Sequence, residues 1–144
     1  MTKKKQQIAD LISSFYSHIS GKAGQRDWES FRKLFHPGAI VTQTGVGEKS
    51  GEYMAPISVD EYIEFVNEIF KSESFYEKEI KNQIDVFNDL GHAWSTFQVH
   101  GDRFEQPRIS AYTFQFCHDG KGWKIFSVSW HSKEDTLELN DQYL

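Results

Sequence analysis

His100, Tyr112 and His131 are the side chains best suited to moving a proton, and they fall in three consecutive segments whose alternation marks them as extended chain. Gln98, Ser110, Ser127 and Ser129 keep step with them at two-residue spacing, so one strand register would gather the whole group on one side of a sheet. A histidine that changes charge near neutral pH, set against a phenol, can act as general acid or base on a small ligand. The same histidines stand close to strand ends, where a solvated or structurally hydrogen-bonded ring is the plainer outcome. Asp102 and Arg108 flank the turn between two of these segments, with Glu105 nearby. The Arg108 guanidinium would there either clamp a substrate carboxylate or form an ordinary cross-strand ion pair. Asp27 similarly reads as a helix cap before it reads as a functional acid.

Other chemistries lack a carrier. The six histidines, His18, His36, His92, His100, His118 and His131, show no His-Glu-x-x-His spacing, and no Cys-x-x-Cys exists, so no metal is expected. Cys117, the single cysteine, has His118 beside it but on the opposite side of a strand, which does not make a nucleophile. Gly45, Gly47 and Gly51 match neither a Walker loop nor a dinucleotide fingerprint, and no cofactor is expected.

A chain of 144 residues is sized for one domain, here 1–144, with 1–6 expected as a disordered, lysine-rich tail. Twelve Phe, six Tyr and four Trp supply enough aromatic surface for a core, a pocket wall or a subunit interface. A net charge of -5 argues against a nucleic-acid groove. Without a signal peptide or a transmembrane run, a cytoplasmic location with no membrane partner is the expectation.

The elements that must position these groups follow from periodicity. Ile8, Leu11, Ile12, Phe15, Tyr16 and Ile19 form one helical stripe ending near Gly21. Trp28, Phe31, Leu34 and Phe35 form a second behind Asp27, stopped by His36-Pro37-Gly38. Ala39 to Thr42 suits a short strand, and Gly45 to Gly51 a mobile glycine-rich loop. Ser58 and Glu61 form a capping box for a third helix, with Ile57 placed to staple onto Tyr62. Four extended segments follow, Tyr76 to Phe87, His92 to Phe104, Arg108 to His118 and Trp123 to His131, separated by turn chemistry. This order predicts an α+β fold with helices on one face of an antiparallel meander. In the assumed register Trp94, Thr96, Gln98 and His100 share the concave side with Tyr112, Phe114, Phe116, Trp123, Ile125 and His131. Phe97, Val99, Ile109, Ala111, Phe126, Val128 and Trp130 lie outside, where a homodimer would cover them.

Arg26-Asp27-Trp28 through Leu34-Phe35-His36-Pro37-Gly38-Ala39, the capped third helix and the closing hairpin Asp119-Gly120-Lys121-Gly122-Trp123-Lys124-Ile125 resemble the nuclear transport factor 2-like superfamily. That superfamily includes ketosteroid isomerase, scytalone dehydratase, limonene epoxide hydrolase and the SnoaL-like polyketide cyclases. Gly122 to Trp130 with Gln142-Tyr143-Leu144 look like an uncharacterised bacterial subgroup of it. The resemblance implies a cone with three helices in the hollow of a curved sheet, a homodimer, and a pocket between helices and sheet. Tyr16 then falls near the oxyanion-binding tyrosine of ketosteroid isomerase, while Gln43 falls near its general-base aspartate, and an amide cannot remove a proton from carbon. The expected function is binding of a small apolar, carbonyl-bearing molecule, with isomerase, dehydratase or cyclase chemistry. The groups carrying it would be Tyr16, His100, Tyr112 and His131, with Gln98 and Arg108 as polar contacts and Trp28, Phe65, Trp94 and Trp123 as walls. The alternative from a different class is a noncatalytic dimeric module with a vestigial pocket.

Overall fold

The computed structural model describes residues 2–45 and 54–132. The first helix, α1 (Lys3–Ile19), is capped by the Thr2 hydroxyl, which accepts from the Lys5 amide at 3.2 Å. It therefore begins inside the stretch expected as a tail, and Lys4 Nζ donates to the Asn88 carbonyl at 3.0 Å across the fold. Its stripe of Ile8, Ile12, Phe15, Tyr16 and Ile19 is buried against the sheet. After it, α2 (Trp28–Arg32) is shorter than its apolar spacing suggests. The backbone leaves the helix at Lys33 and is already extended at Phe35. Asp27 caps α2 by accepting from the Ser30 amide at 3.1 Å.

The strands are β1 (Phe35–Thr44), β2 (Met54–Ser58), β3 (Phe75–Phe87), β4 (Leu90–Gly101), β5 (Arg108–His118) and β6 (Trp123–His131), with α3 (Val59–Phe70) between β2 and β3. Ser58 and Glu61 form the anticipated capping box, and Tyr62, Ile63, Val66 and Phe70 are the buried face of α3. The sheet order is β2-β1-β6-β5-β4-β3. Every neighbouring pair is antiparallel except β1 and β6, which run parallel, so the sheet is mixed rather than the pure meander predicted. Residues 46–51 of the expected glycine-rich loop and the terminal Gln142–Leu144 lie outside the described residues.

Register decides which side chains meet the helices, and here the structure corrects the sequence reading strand by strand. On β5 the predicted side holds: Tyr112, Phe114 and Phe116 are buried beneath α1. On β4 it is off by one residue, because Ser95 pairs with Tyr112 and Ala93 with Phe114, which puts Ala93, Ser95, Phe97 and Val99 inside. Trp94, Gln98 and His100 consequently sit on the outer face. On β6 the side changes midway. Gln115 pairs with Ser127 but Phe116 pairs with Ile125, so Phe126 is an extra, bulged residue. Trp123 and Ile125 face inward before the bulge and Val128 and Trp130 after it, leaving Ser127, Ser129 and His131 outside. A second bulge on β3, at Ile80, shifts the inward set from Phe75, Glu77 and Glu79 to Asn82, Ile84 and Val86.

Phe15 anchors the core. Its ring lies 5.2 Å from those of Tyr112 and Phe114 on β5, 5.6 Å from Phe31 on α2 and 6.3 Å from Phe35 on β1. Gly91 lets α1 approach β4, since a Cβ there would stand 2.7 Å from Ile8 Cδ1.

Candidate functional site

Two carboxyl groups enter the protein beneath α1 from the inward side of β3. Glu77 is buried, and Ser20, the residue that caps the C-terminus of α1, accepts from its amide through Oγ at 3.0 Å. The same end of the helix is tied to the start of β3 by reciprocal backbone hydrogen bonds between Gly21 and Phe75. The end of one helix thus fixes where the Glu77 side chain enters the core.

Inside, the Tyr112 hydroxyl lies 2.9 Å from both carboxyl oxygens of Glu77 and donates to that group. Burial pushes the Glu77 carboxyl up to about 8, the Tyr112 hydrogen bond pulling only weakly the other way. Among the described residues no cation shifts it. At neutral pH the favoured state of Glu77 is therefore the uncharged acid. Tyr112 is itself held above the ordinary phenol range, first by burial and then by the neighbouring Glu77.

The second carboxyl is Glu79, half-buried and two residues along the same strand face. It accepts from Asn82 Nδ2 at 3.0 Å and from the Ser95 hydroxyl. Ser95, fully buried on β4, lies 2.6 Å from the Tyr16 hydroxyl of α1. Burial, then the charges of Glu77 and Glu79, hold Tyr16 well above the phenol range. The rings of Tyr16 and Tyr112 stand 5.9 Å apart, and Phe97 stacks on Tyr112 at 4.5 Å, so one aromatic surface backs both hydroxyls. Tyr62 of α3 completes the buried phenols, its hydroxyl also raised by burial and by Glu77. A cleft of about 420 Å³ between α1 and β3 reaches this group from outside, lined by Tyr16, Glu77, Lys78 and Glu79 together with Ser13, Ser17 and Ser20.

Of the predicted site residues, Tyr16 and Tyr112 are brought together. His100 and His131 are not. His100 is exposed on the outer face, stacked on Tyr76 at 5.0 Å, and His131 is exposed at the end of β6 with Nδ1 2.6 Å from Thr44 Oγ1. Trp94 and Gln98 share that outer face. Phe65 is 51% exposed on α3 and walls nothing. Trp28 packs at the helix layer, donating to Asn67 Oδ1 at 3.0 Å and touching Phe31 and Phe70. Trp123 donates to Gln7 Oε1 at 3.2 Å and borders a separate shallow cleft near the start of α1. The Arg108 guanidinium lies 4.6 Å over the Phe104 ring, while Asp102 accepts from the Ser74 amide and Arg103 pairs with Glu73 at 3.0 Å. Among the described residues no group of three His, Cys, Asp or Glu side chains could hold a metal, and no helix is long and apolar enough to cross a membrane.

Solved structures superimpose on this arrangement over most of its length. A protein of Novosphingobium aromaticivorans described as NTF2-like with a cystatin-like fold has a TM-score of 0.70 at 14% identity, covering 93% of this chain and 84% of that one. The chain has the nuclear transport factor 2-like fold. Other structures with this nuclear transport factor 2-like architecture carry different descriptions. A candidate dehydratase from Streptomyces avermitilis has a TM-score of 0.66 at 16% identity, covering 88% of this chain and 93% of its own. The association domain of C. elegans CaMKII has a TM-score of 0.61 at 14% identity, covering 89% and 95%. No family model matches the sequence, and no curated protein does.

Sequence reasoning missed Glu77, Glu79 and Ser95. A signal for Ser95 exists: Gly91, Ala93, Phe97 and Val99 form the apolar alternation of β4, while His92, Gln98 and His100 form the polar one, and Ser95 is in step with the first set. For the two glutamates the signal is masked by the bulge at Ile80, beyond which the apolar Ile84 and Val86 are out of step with positions 77 and 79.

Proposed function

We propose that the protein binds a small carbonyl-bearing molecule at the junction of α1 with β3, β4 and β5, and shifts a proton on it without a cofactor. The observation that supports this most is the uncharged acid Glu77 bonded to Tyr112. That pair holds two protons, one on the carboxyl and one on the phenol, yet a hydrogen bond between them uses one. The other can be offered to an acceptor. A carbonyl oxygen that gains negative charge as its α-proton leaves is the acceptor such a donor stabilises most, because the donor is buried and already in place. Glu79, partly solvated on the same strand face, provides the basic partner. Two carboxyls set apart by environment into a donor and an acceptor form the arrangement that general acid/base chemistry uses. The cleft lining of hydroxyl and charged groups favours a ligand with a polar head rather than a purely apolar one.

p-Nitrophenol mimics the enolate of such a ligand, and its phenolate is coloured. Wild-type protein should bind it in spectrophotometric titration near neutral pH, and Tyr112→Phe should weaken binding by about 10-fold or more, the effect of removing a buried donor. Absence of binding, or equal binding by both proteins, would sink this reading.

The outer sheet face supports an oligomeric setting. Ile40, Trp94 and Ile109 emerge there, Ile40 and Ile109 each more than two-fifths exposed, on a surface from which the register has removed Phe97 and Val99 but not every apolar side chain. We expect a homodimer through this face, and sedimentation equilibrium at micromolar concentration should give a dimer mass that Ile109→Asp converts to a monomer. A monomeric wild-type protein would contradict it.

A further inference from the structure

We infer that Ser95 is a proton relay, joining Tyr16 at the ligand to Glu79 at the cleft, so that a proton taken from the ligand comes to rest on Glu79. The inference rests on the reading of the site given above and adds the path and its direction. Ser95 has one hydroxyl proton. Both Glu79 oxygens are occupied as acceptors, one by Asn82 and one by Ser95, so the Ser95 proton is committed to Glu79. With that proton spent, Ser95 can only accept from Tyr16, and the 2.6 Å contact must run from the phenol to the serine. The chain therefore points one way, Tyr16 to Ser95 to Glu79, and leaves a lone pair of the Tyr16 oxygen for whatever enters beside it.

The step balances without a co-reactant. The ligand's α-carbon–hydrogen bond breaks and its proton joins the Tyr16 oxygen. The Tyr16 proton passes to Ser95 and the Ser95 proton to Glu79. The electron pair of the broken bond becomes the enolate, held by the Glu77–Tyr112 donor pair. Tyr16 cannot be the terminal base by itself, since burial strongly disfavours its phenolate. Its use is as a link. The groups facing Glu79 are Asn82 and Glu77 from β3, Ser95 from β4 and Tyr16 from α1, with Lys78 lining the same cleft from β3.

The experiment is exchange of the α-hydrogens of cyclohexenone in deuterium oxide, followed by proton NMR across a pH series, on wild type, Ser95→Ala, Glu79→Gln and the double variant. The relay predicts that each single change slows exchange about 100-fold, within the range for loss of general base catalysis. It also predicts that the acidic limb of the pH profile disappears in both, and that the double variant is no slower than either single one, since both cut the same path. Exchange within about 2-fold of wild type in Ser95→Ala, with the limb intact, overturns the relay; so does additivity in the double variant. Should Ser95→Ala fail to fold, the half-buried Glu79→Gln decides alone, and an unchanged limb there refutes the inference. Wild-type protein that binds p-nitrophenol yet exchanges no hydrogen overturns the relay and leaves the binding site standing. Protein that does neither removes both.

Discussion

Glu77→Gln should be more stable than the wild type at pH 8 and indistinguishable from it near pH 4.5. The sign follows from the proton count. With the folded-state carboxyl pushed up to about 8 and the unfolded one in the ordinary range, the folded protein holds a proton between those limits that the unfolded chain has released. Stability from this group is therefore complete below the unfolded value and is lost as pH rises through the folded one. Over that window the loss is on the order of 4 kcal/mol, a large fraction of the stability of a small domain. Glutamine has almost the same shape, presents an amide oxygen to the Tyr112 hydroxyl and never ionises, so it removes the slope without removing the packing. Urea unfolding at a series of pH values from 4.5 to 8.5 measures it. Parallel stability curves for the two proteins would show that Glu77 is not the buried uncharged acid described above.

A protein that buries such a group without a paired cation has a pH-dependent weakness in its core. Packing alone gives no reason for it, because an apolar side chain of similar volume would fill the same space without the desolvation cost. The contrast with Glu79 sharpens this. The two glutamates belong to one strand, point the same way, are two residues apart and both line the cleft, yet one is buried beneath α1 against Tyr112 and the other is half-buried, bonded to Ser95 and Asn82. Chemically identical side chains have been given different surroundings, which is how a fold obtains an acid and a base from the same residue type.

Most of what was legible in the sequence belongs to the helices and to the strands between their irregularities. The stripe on α1, the Asp27 cap and the Ser58–Glu61 box are local signals, each complete within a few residues, and each is found in place. Strand faces are not local in this sense. One bulge, at Phe126, reverses the facing of everything after it on β6, and that single extra residue moves His131 from the predicted pocket to the outer surface. On β4 the assumed register placed Trp94, Thr96, Gln98 and His100 inward. The apolar alternation of Ala93, Phe97 and Val99 marks the face that is buried, one residue out of step with that register. The parallel pairing of β1 with β6 joins segments more than eighty residues apart, and nothing in either segment announces its partner. Tyr16 lies on the buried face of α1, as its helical phase predicts; the carboxyls near it were hidden because β3 does not keep one phase.

Phe15→Ala should cost about 3–5 kcal/mol, the range for removing a fully buried phenyl group, whereas Phe65→Ala, on the exposed face of α3, should change stability by less than about 1 kcal/mol. Composition does not separate these residues; both are phenylalanines on amphipathic helices. Position does. Phe15 lies edge-on to Tyr16, Tyr112 and Phe114 and against Phe31 and Phe35, so its removal leaves a void walled by rings from α1, α2, β1 and β5. Those walls belong to rigid elements that collapse only in part, and an apolar void of this kind stays dry and admits a small hydrocarbon. Benzene should accordingly raise the thermal midpoint of Phe15→Ala and leave that of Phe65→Ala and wild type where it was. A loss below about 1 kcal/mol, or no response to benzene, would mean that the helix settles into the gap, and that the tyrosine pair at the site is not held by the ring behind it.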